Sequence, residues 1–190
     1  MKRIAIFVSG SGTNMENLIR QMQAGEIPAV PCLVISDNSE AAAIGKARKL
    51  KVPVEVIPRK NYSDKSIFEK EIQKQLNAYR VEFIVLAGFM RLLSSDFVRG
   101  WKNKLINVHP SLLPAFPGAH GIRDAFNAKV KETGVTIHYV DEGVDTGPVI
   151  LQRKVTIDPN ETLETLETKI HAVEYEIYPE ALKEIISGKP

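Results

Sequence analysis

Residues 3–22 read Arg3-Ile-Ala-Ile-Phe-Val8-Ser9-Gly-Ser-Gly-Thr-Asn14-Met-Glu-Asn-Leu-Ile-Arg-Gln-Met22. The apolar run ending at Val8 predicts a strand over 3–8, and Met15, Leu18, Ile19 and Met22 recur at helical spacing. Between them lies Ser9-Gly10-Ser11-Gly12-Thr13-Asn14, a turn built for close backbone approach. Its glycines let N–H groups converge on an anion, and a helix N-terminus adds about half a positive charge. A phosphate fits such a loop. So does a plain turn in which Thr13 or Asn14 caps the helix, and the residues alone leave both readings open. The loop departs from the dinucleotide fingerprint, because Met15 stands where its third glycine would be, and it lacks the lysine of a triphosphate loop.

The same alternation continues along the chain. Strands are predicted over 30–36, 54–57, 83–87 and 105–108, with helices filling the gaps. Ile67, Phe68, Ile72 and Leu76 form one helical stripe, with Ser63 and Asp64 in place to cap it. Runs such as Phe83-Ile-Val-Leu-Ala87 are apolar without alternation, so both sheet faces must be covered. Pro110, Pro114 and Pro117 fall within eight residues and forbid regular helix or central strand there, which predicts an ordered loop or lid. Strands return over 134–140 and 149–157. Leu163, Leu166, Ile170, Val173 and Ile177 then mark a long amphipathic helix. The expected architecture is α/β, a three-layer, mostly parallel Rossmann-like sheet with helices on both faces, forming one domain over residues 1–190.

Composition sets the outer limits. A chain of 190 residues, 44% hydrophobic and 25% charged, suits one globular domain. A formal charge of +2 gives no support to nucleic-acid binding on a broad basic face, so anion sites must be local. No segment has the roughly 18 apolar residues of a membrane span. The single Cys32 excludes an internal disulfide framework and suits the cytoplasm, and its strand position marks it as a small buried hydrophobe. His109, His120, His138 and His171 show no metal-ligand spacing, so no metal is expected. Trp101 reads as packing.

Two further segments carry chemistry. In Asn107-Val-His109-Pro-Ser-Leu-Leu-Pro114 the Asn and His are two apart on a strand, so both project to one side at the carboxyl edge of the sheet. An amide donor beside an imidazole suits acyl chemistry, one to hold an oxyanion and the other to move a proton. A structural histidine is the competing reading. Asp141-Glu-Gly-Val-Asp145-Thr-Gly-Pro148 reads as a turn, yet Asp145 sits at a rigid bend from which its charge can face His109. Asp37, after the second strand, occupies the place of a ribose-binding acid in a dinucleotide domain.

Three regions together, Ser9 to Asn14, Ala87-Gly-Phe-Met-Arg-Leu-Leu-Ser94, and Asn107 to His120 with Gly143 to Pro148, resemble the phosphoribosylglycinamide formyltransferases, folate-dependent enzymes of de novo purine synthesis. The resemblance runs from Lys2 to about Pro179. It implies transfer of a formyl group from 10-formyltetrahydrofolate, as co-substrate, to the amine of 5-phosphoribosylglycinamide. The family's catalytic residues match Asn107, His109 and Asp145. Its acceptor contacts match Gly12, Thr13, Asn14 and Glu174, and its folate contacts match Met90, Arg91, Leu92, Leu93, Asn107 and Asp141. Where some members carry an arginine against the folate this chain has Lys65, a compact ammonium in place of a planar fork. Small-molecule substrates, no nucleic acid, no membrane, and a monomer or homodimer are the implied partners and state. A formyltetrahydrofolate hydrolase and a tRNA formyltransferase are the neighbouring activities. Both carry an extra domain for which this length leaves no room. A non-catalytic nucleotide-binding module would explain the glycine loop and Asp37, though not Asn107, His109 and Asp145 together.

Overall fold

The computed structural model describes residues 1–188. Its centre is strand β1 (Lys2–Val8), buried from Ile4 to Val8, which pairs in parallel with β2 (Ala29–Ser36) on one side and β4 (Phe83–Leu86) on the other. With β3 (Val54–Val56), β5 (Leu105–His109), β6 (Glu132–Tyr139) and β7 (Val149–Thr156) the sheet order is β3-β2-β1-β4-β5-β6-β7. The first five strands run parallel, while β6 and β7 pair antiparallel. The chain leaves β1 toward β3 and then returns to β4 on the other side. The carboxyl ends of β1 and β4 therefore flank a topological switch point, where open α/β sheets place ligands.

Helices α1 (Thr13–Gln23), α2 (Ala42–Lys49), α5 (Gly121–Asn127) and α6 (Leu163–Ser187) supply the apolar side chains packed on one face. Helices α3 (Lys65–Ala78) and α4 (Ser95–Gly100) cover the other. Alternate residues of β1 divide between these layers, Ile4, Ile6 and Val8 toward the first and Ala5 and Phe7 toward the second. The unbroken apolar strands had required this three-layer arrangement. Among the described residues no helix is long and apolar enough to cross a membrane.

Two local expectations need correction. Ile67 is 47% exposed and not part of the core stripe, which runs through Phe68, Ile72 and Leu76 at steps of four. The helix is rolled so that Glu69 is buried, where its carboxylate accepts the N–H and O–H of Ser94. Asp64 caps α3 as read, accepting from the Ile67 N–H at 2.8 Å. The N-cap of α1, however, is Gly12 in a left-handed conformation with no side-chain cap bond, so neither Thr13 nor Asn14 plays that part. The proline-rich stretch is irregular as expected, and its Leu113–Pro114 bond is cis.

Helix α6 is pinned beneath the site by Tyr178. The ring is fully buried and its hydroxyl donates to the Leu86 carbonyl of β4 at 2.7 Å, while burial pushes the phenol pKa well up. Tyr178→Phe keeps the ring and removes that donor from the dry carbonyl. The expected cost is about 1–3 kcal/mol, seen in calorimetry as a Tm lowered by roughly 3–10 °C for a domain of this size.

Candidate active site

The glycine loop follows β1 directly. Gly12 has φ 68°, and a Cβ there would lie 2.5 Å from the Ala43 Cβ and 2.8 Å from the Ala43 Cα, so only glycine lets α1 dock on α2. With no side chain capping the helix, its first N–H groups stay available to an anion. Asn14 turns inward instead, and its amide donates to the Glu174 carboxylate of α6 at 2.8 Å. His171 donates from Nδ1 to the same oxygen at 3.1 Å, and this bond to Glu174 raises the imidazole pKa despite partial burial. Glu174 is 5% exposed. The structure thus brings Asn14 and Glu174 into contact and carries Gly12 and Thr13 beside them at the start of α1. Gly12→Ala should distort this loop, and kcat/KM for a phosphorylated substrate docked there, as the sequence resemblance implies, should fall about 10–100-fold in steady-state kinetics.

The second group of expected residues meets two strands away, roughly 10 Å from β1. Asn107 and His109 lie at the carboxyl end of β5, with His109 only 3% exposed. The His109 Nε2–H donates to the Phe116 carbonyl at 2.8 Å, and Nδ1 faces the Asp145 carboxylate at 3.4 Å. Each ring nitrogen thus faces an oxygen acceptor. The Nδ1 contact is long for a strong hydrogen bond, so that edge is the less committed one. Asp145 itself has φ 54° and accepts the Gly118 N–H at 2.8 Å. Burial raises its carboxyl pKa, but the His138 ring, the Gly118 N–H and the His109 charge outweigh that and hold it below the ordinary value.

These residues form the wall of a cleft of about 350 Å³, which the segment Gly88 to Leu93 and the turn around Asp141, Gly143 and Val144 complete. Met90 and Leu92 are 70% and 68% exposed, an apolar lip suited to a flat ring system. Asp141 ties its turn together by accepting the Thr146 hydroxyl at 2.7 Å and the Gly143 N–H at 3.1 Å. Lys65 is not among the cleft-lining residues. It opens α3, one turn before Glu69, whose carboxylate holds Ser94 directly after the Gly88 to Leu93 segment. Asp37 does not present a free carboxylate to a ribose. Its oxygens are taken by the Ser9 hydroxyl and the Arg91 guanidinium, and its side chain is 2% exposed.

Residues 2–182 match the family model described as formyl transferase. The chain belongs to the formyl transferase family. A curated phosphoribosylglycinamide formyltransferase of Bacillus subtilis is 42% identical over 186 residues, covering 98% of this chain and 95% of the relative. One from Haemophilus influenzae is 38% identical, covering 100% of this chain and 89% of its own length. The crystal structure of the phosphoribosylglycinamide formyltransferase of Bacillus halodurans superposes with a TM-score of 0.96 at 46% identity, over 100% of this chain and 97% of that one.

This formyl transferase domain also holds site residues that reading the sequence missed. His138, on β6, is directly opposite Asn107 in the antiparallel register, and its Nε2 lies 3.4 Å from the Asn107 amide and 3.6 Å from Asp145 Oδ1. Its Nδ1–H donates to the Tyr139 carbonyl at 2.8 Å, and Nε2 faces both Asn107 and Asp145. His138 had read as one more residue of an alternating strand. A histidine seven positions before Asp145, on the strand following the proline loop, was the available signal. The Phe116 carbonyl and Gly118 N–H are backbone groups of that loop, and side-chain motifs cannot announce them.

Proposed function

We propose that this chain transfers the formyl group of 10-formyltetrahydrofolate to the amine of 5-phosphoribosylglycinamide, giving N-formylglycinamide ribonucleotide and tetrahydrofolate in de novo purine synthesis. The observation that carries this reading is the convergence of Asn107, His109 and Asp145 in one cleft wall, with an apolar lip on the same cleft and an uncapped helix N-terminus at the exit of β1. The lip, Met90 to Leu93, would take the folate ring with Asp141 closing the turn beside it, and Lys65 would meet its acidic tail. The Gly12 loop would take the acceptor's phosphate, with Glu174 and Asn14 reading the sugar beside it. We place the reaction in the cytoplasm, on small molecules, in a monomer or homodimer.

Both substrates held in this way make much of the rate a matter of orientation. The neutral amine attacks the formyl carbon, and negative charge develops on the formyl oxygen. The Asn107 amide and the Nδ1–H edge of His109 stabilise that charge. Asp145, kept ionised, balances the imidazolium and accepts the proton that the amine loses, through water where distance requires it. The bond from the formyl carbon to the folate nitrogen then breaks, that nitrogen takes up a proton, and the amide product remains on the acceptor.

Turnover in the presence and absence of acceptor tests the reading. The donor should be deformylated in proportion to 5-phosphoribosylglycinamide added, and stay intact without it. Acceptor-independent release of formate would assign the chain to hydrolysis.

A further inference from the structure

Asp37 directly follows β2 and takes no part in the chemistry above, yet it is among the most deeply buried carboxylates of the described chain. Burying an anion is costly unless it is paired, and both oxygens are occupied. The Ser9 hydroxyl donates to Oδ1 at 2.5 Å, and Arg91 Nε donates to Oδ2 at 2.6 Å. Ser9 is itself a junction. Its hydroxyl accepts the Met90 N–H at 2.8 Å, and its backbone N–H donates to the Gly88 carbonyl at 3.1 Å. Its carbonyl accepts from the Asn38 amide at 3.1 Å. The exits of β1, β2 and β4 are therefore fastened at the topological switch point, with the Asp37 carboxylate at the centre.

The chemistry of the contact matters as much as its place. Arg91 gives Asp37 its Nε, while the side chain lines the cleft and remains 50% exposed. A long side chain fixed by its inner nitrogen enters binding already ordered. A neutral residue at position 37 could satisfy the Ser9 hydroxyl, but would not anchor a cation of this reach.

We propose that Asp37 is a positioning residue for the formyl donor, holding the Arg91 guanidinium and, through Ser9, the Met90 backbone in the arrangement that the folate meets. This rests on the donor site of the reading above. The acceptor loop begins at Ser9, but Gly12 to Asn14 make no hydrogen bond to Asp37, so the effect falls on the donor alone.

Asp37→Asn, Ser9→Ala, Arg91→Ala and the double variant Asp37→Asn/Arg91→Ala test this in two ways. Tetrahydrofolate binding is measured by calorimetry with no chemistry involved, and both KM values are measured at steady state. Asp37→Asn should weaken tetrahydrofolate and raise the donor KM about tenfold, leaving the acceptor KM and kcat within about twofold. In the Arg91→Ala background the same change should add less than about twofold, since residues acting through one contact are not additive. Ser9→Ala, which spares the Asp37–Arg91 pair, should raise the donor KM a few-fold. It carries the test if Asp37→Asn does not fold. Equal loss of donor and acceptor binding, or an Asp37→Asn effect undiminished by Arg91→Ala, would overturn the proposal. A wild-type protein that binds no tetrahydrofolate would instead overturn the functional reading on which it rests.

Discussion

His109→Ala is expected to lower kcat by about 10³-fold, the range for losing a positioned acid and an oxyanion donor from one site. The imidazole is almost wholly buried between the Phe116 carbonyl and the Asp145 carboxylate, so alanine takes a ring nitrogen away from each. Binding should suffer far less than turnover. The glycine loop and the apolar lip follow other strands, and an interaction made only in the transition state lowers kcat without raising KM. A variant that keeps its KM values and loses kcat is the expected signature in steady-state kinetics. Retention of wild-type turnover would remove His109 from the mechanism.

Asp145→Asn is expected to cost about 10²–10³-fold in kcat. Asparagine keeps the size of the side chain, tolerates the positive φ at this position and can still accept from the Gly118 N–H. What it loses is the charge facing His109 and His138 at 3.4 and 3.6 Å. The same substitution has a stability consequence whose sign follows from the lowered Asp145 pKa. A carboxyl held below its unfolded value stabilises the native state above that value, 3.8, and loses this contribution as pH falls through the folded pKa. Asp145→Asn should therefore be destabilising near pH 7 in urea titrations, by a margin that shrinks as pH is taken below about 4. A difference that is constant with pH would show that the charge does not matter to the fold.

The strands and their burial were readable because a sheet covered on both faces demands apolar residues without alternation, and Ile4 to Val8 and Phe83 to Leu86 show that directly. Asn107 and His109 were readable for a related reason, since a strand's period of two puts both on one side. Contacts across the chain were not. Asp37 looked like a free acid because its partners Ser9 and Arg91 lie 28 and 54 residues away. His138 looked structural because only the register between β5 and β6 sets it opposite Asn107. Ile67 was placed in the core because helical spacing alone does not reveal the roll imposed by a buried Glu69 meeting Ser94.

The fate of the formyl carbon distinguishes transfer from hydrolysis in a single experiment. With 10-formyltetrahydrofolate labelled with carbon-13 in the formyl group, a single turnover on 5-phosphoribosylglycinamide should place the label on the glycinamide nitrogen, seen by NMR as a formamide carbon, and His109→Ala should slow its appearance. Label recovered as free formate, at a rate indifferent to the acceptor, would contradict the account.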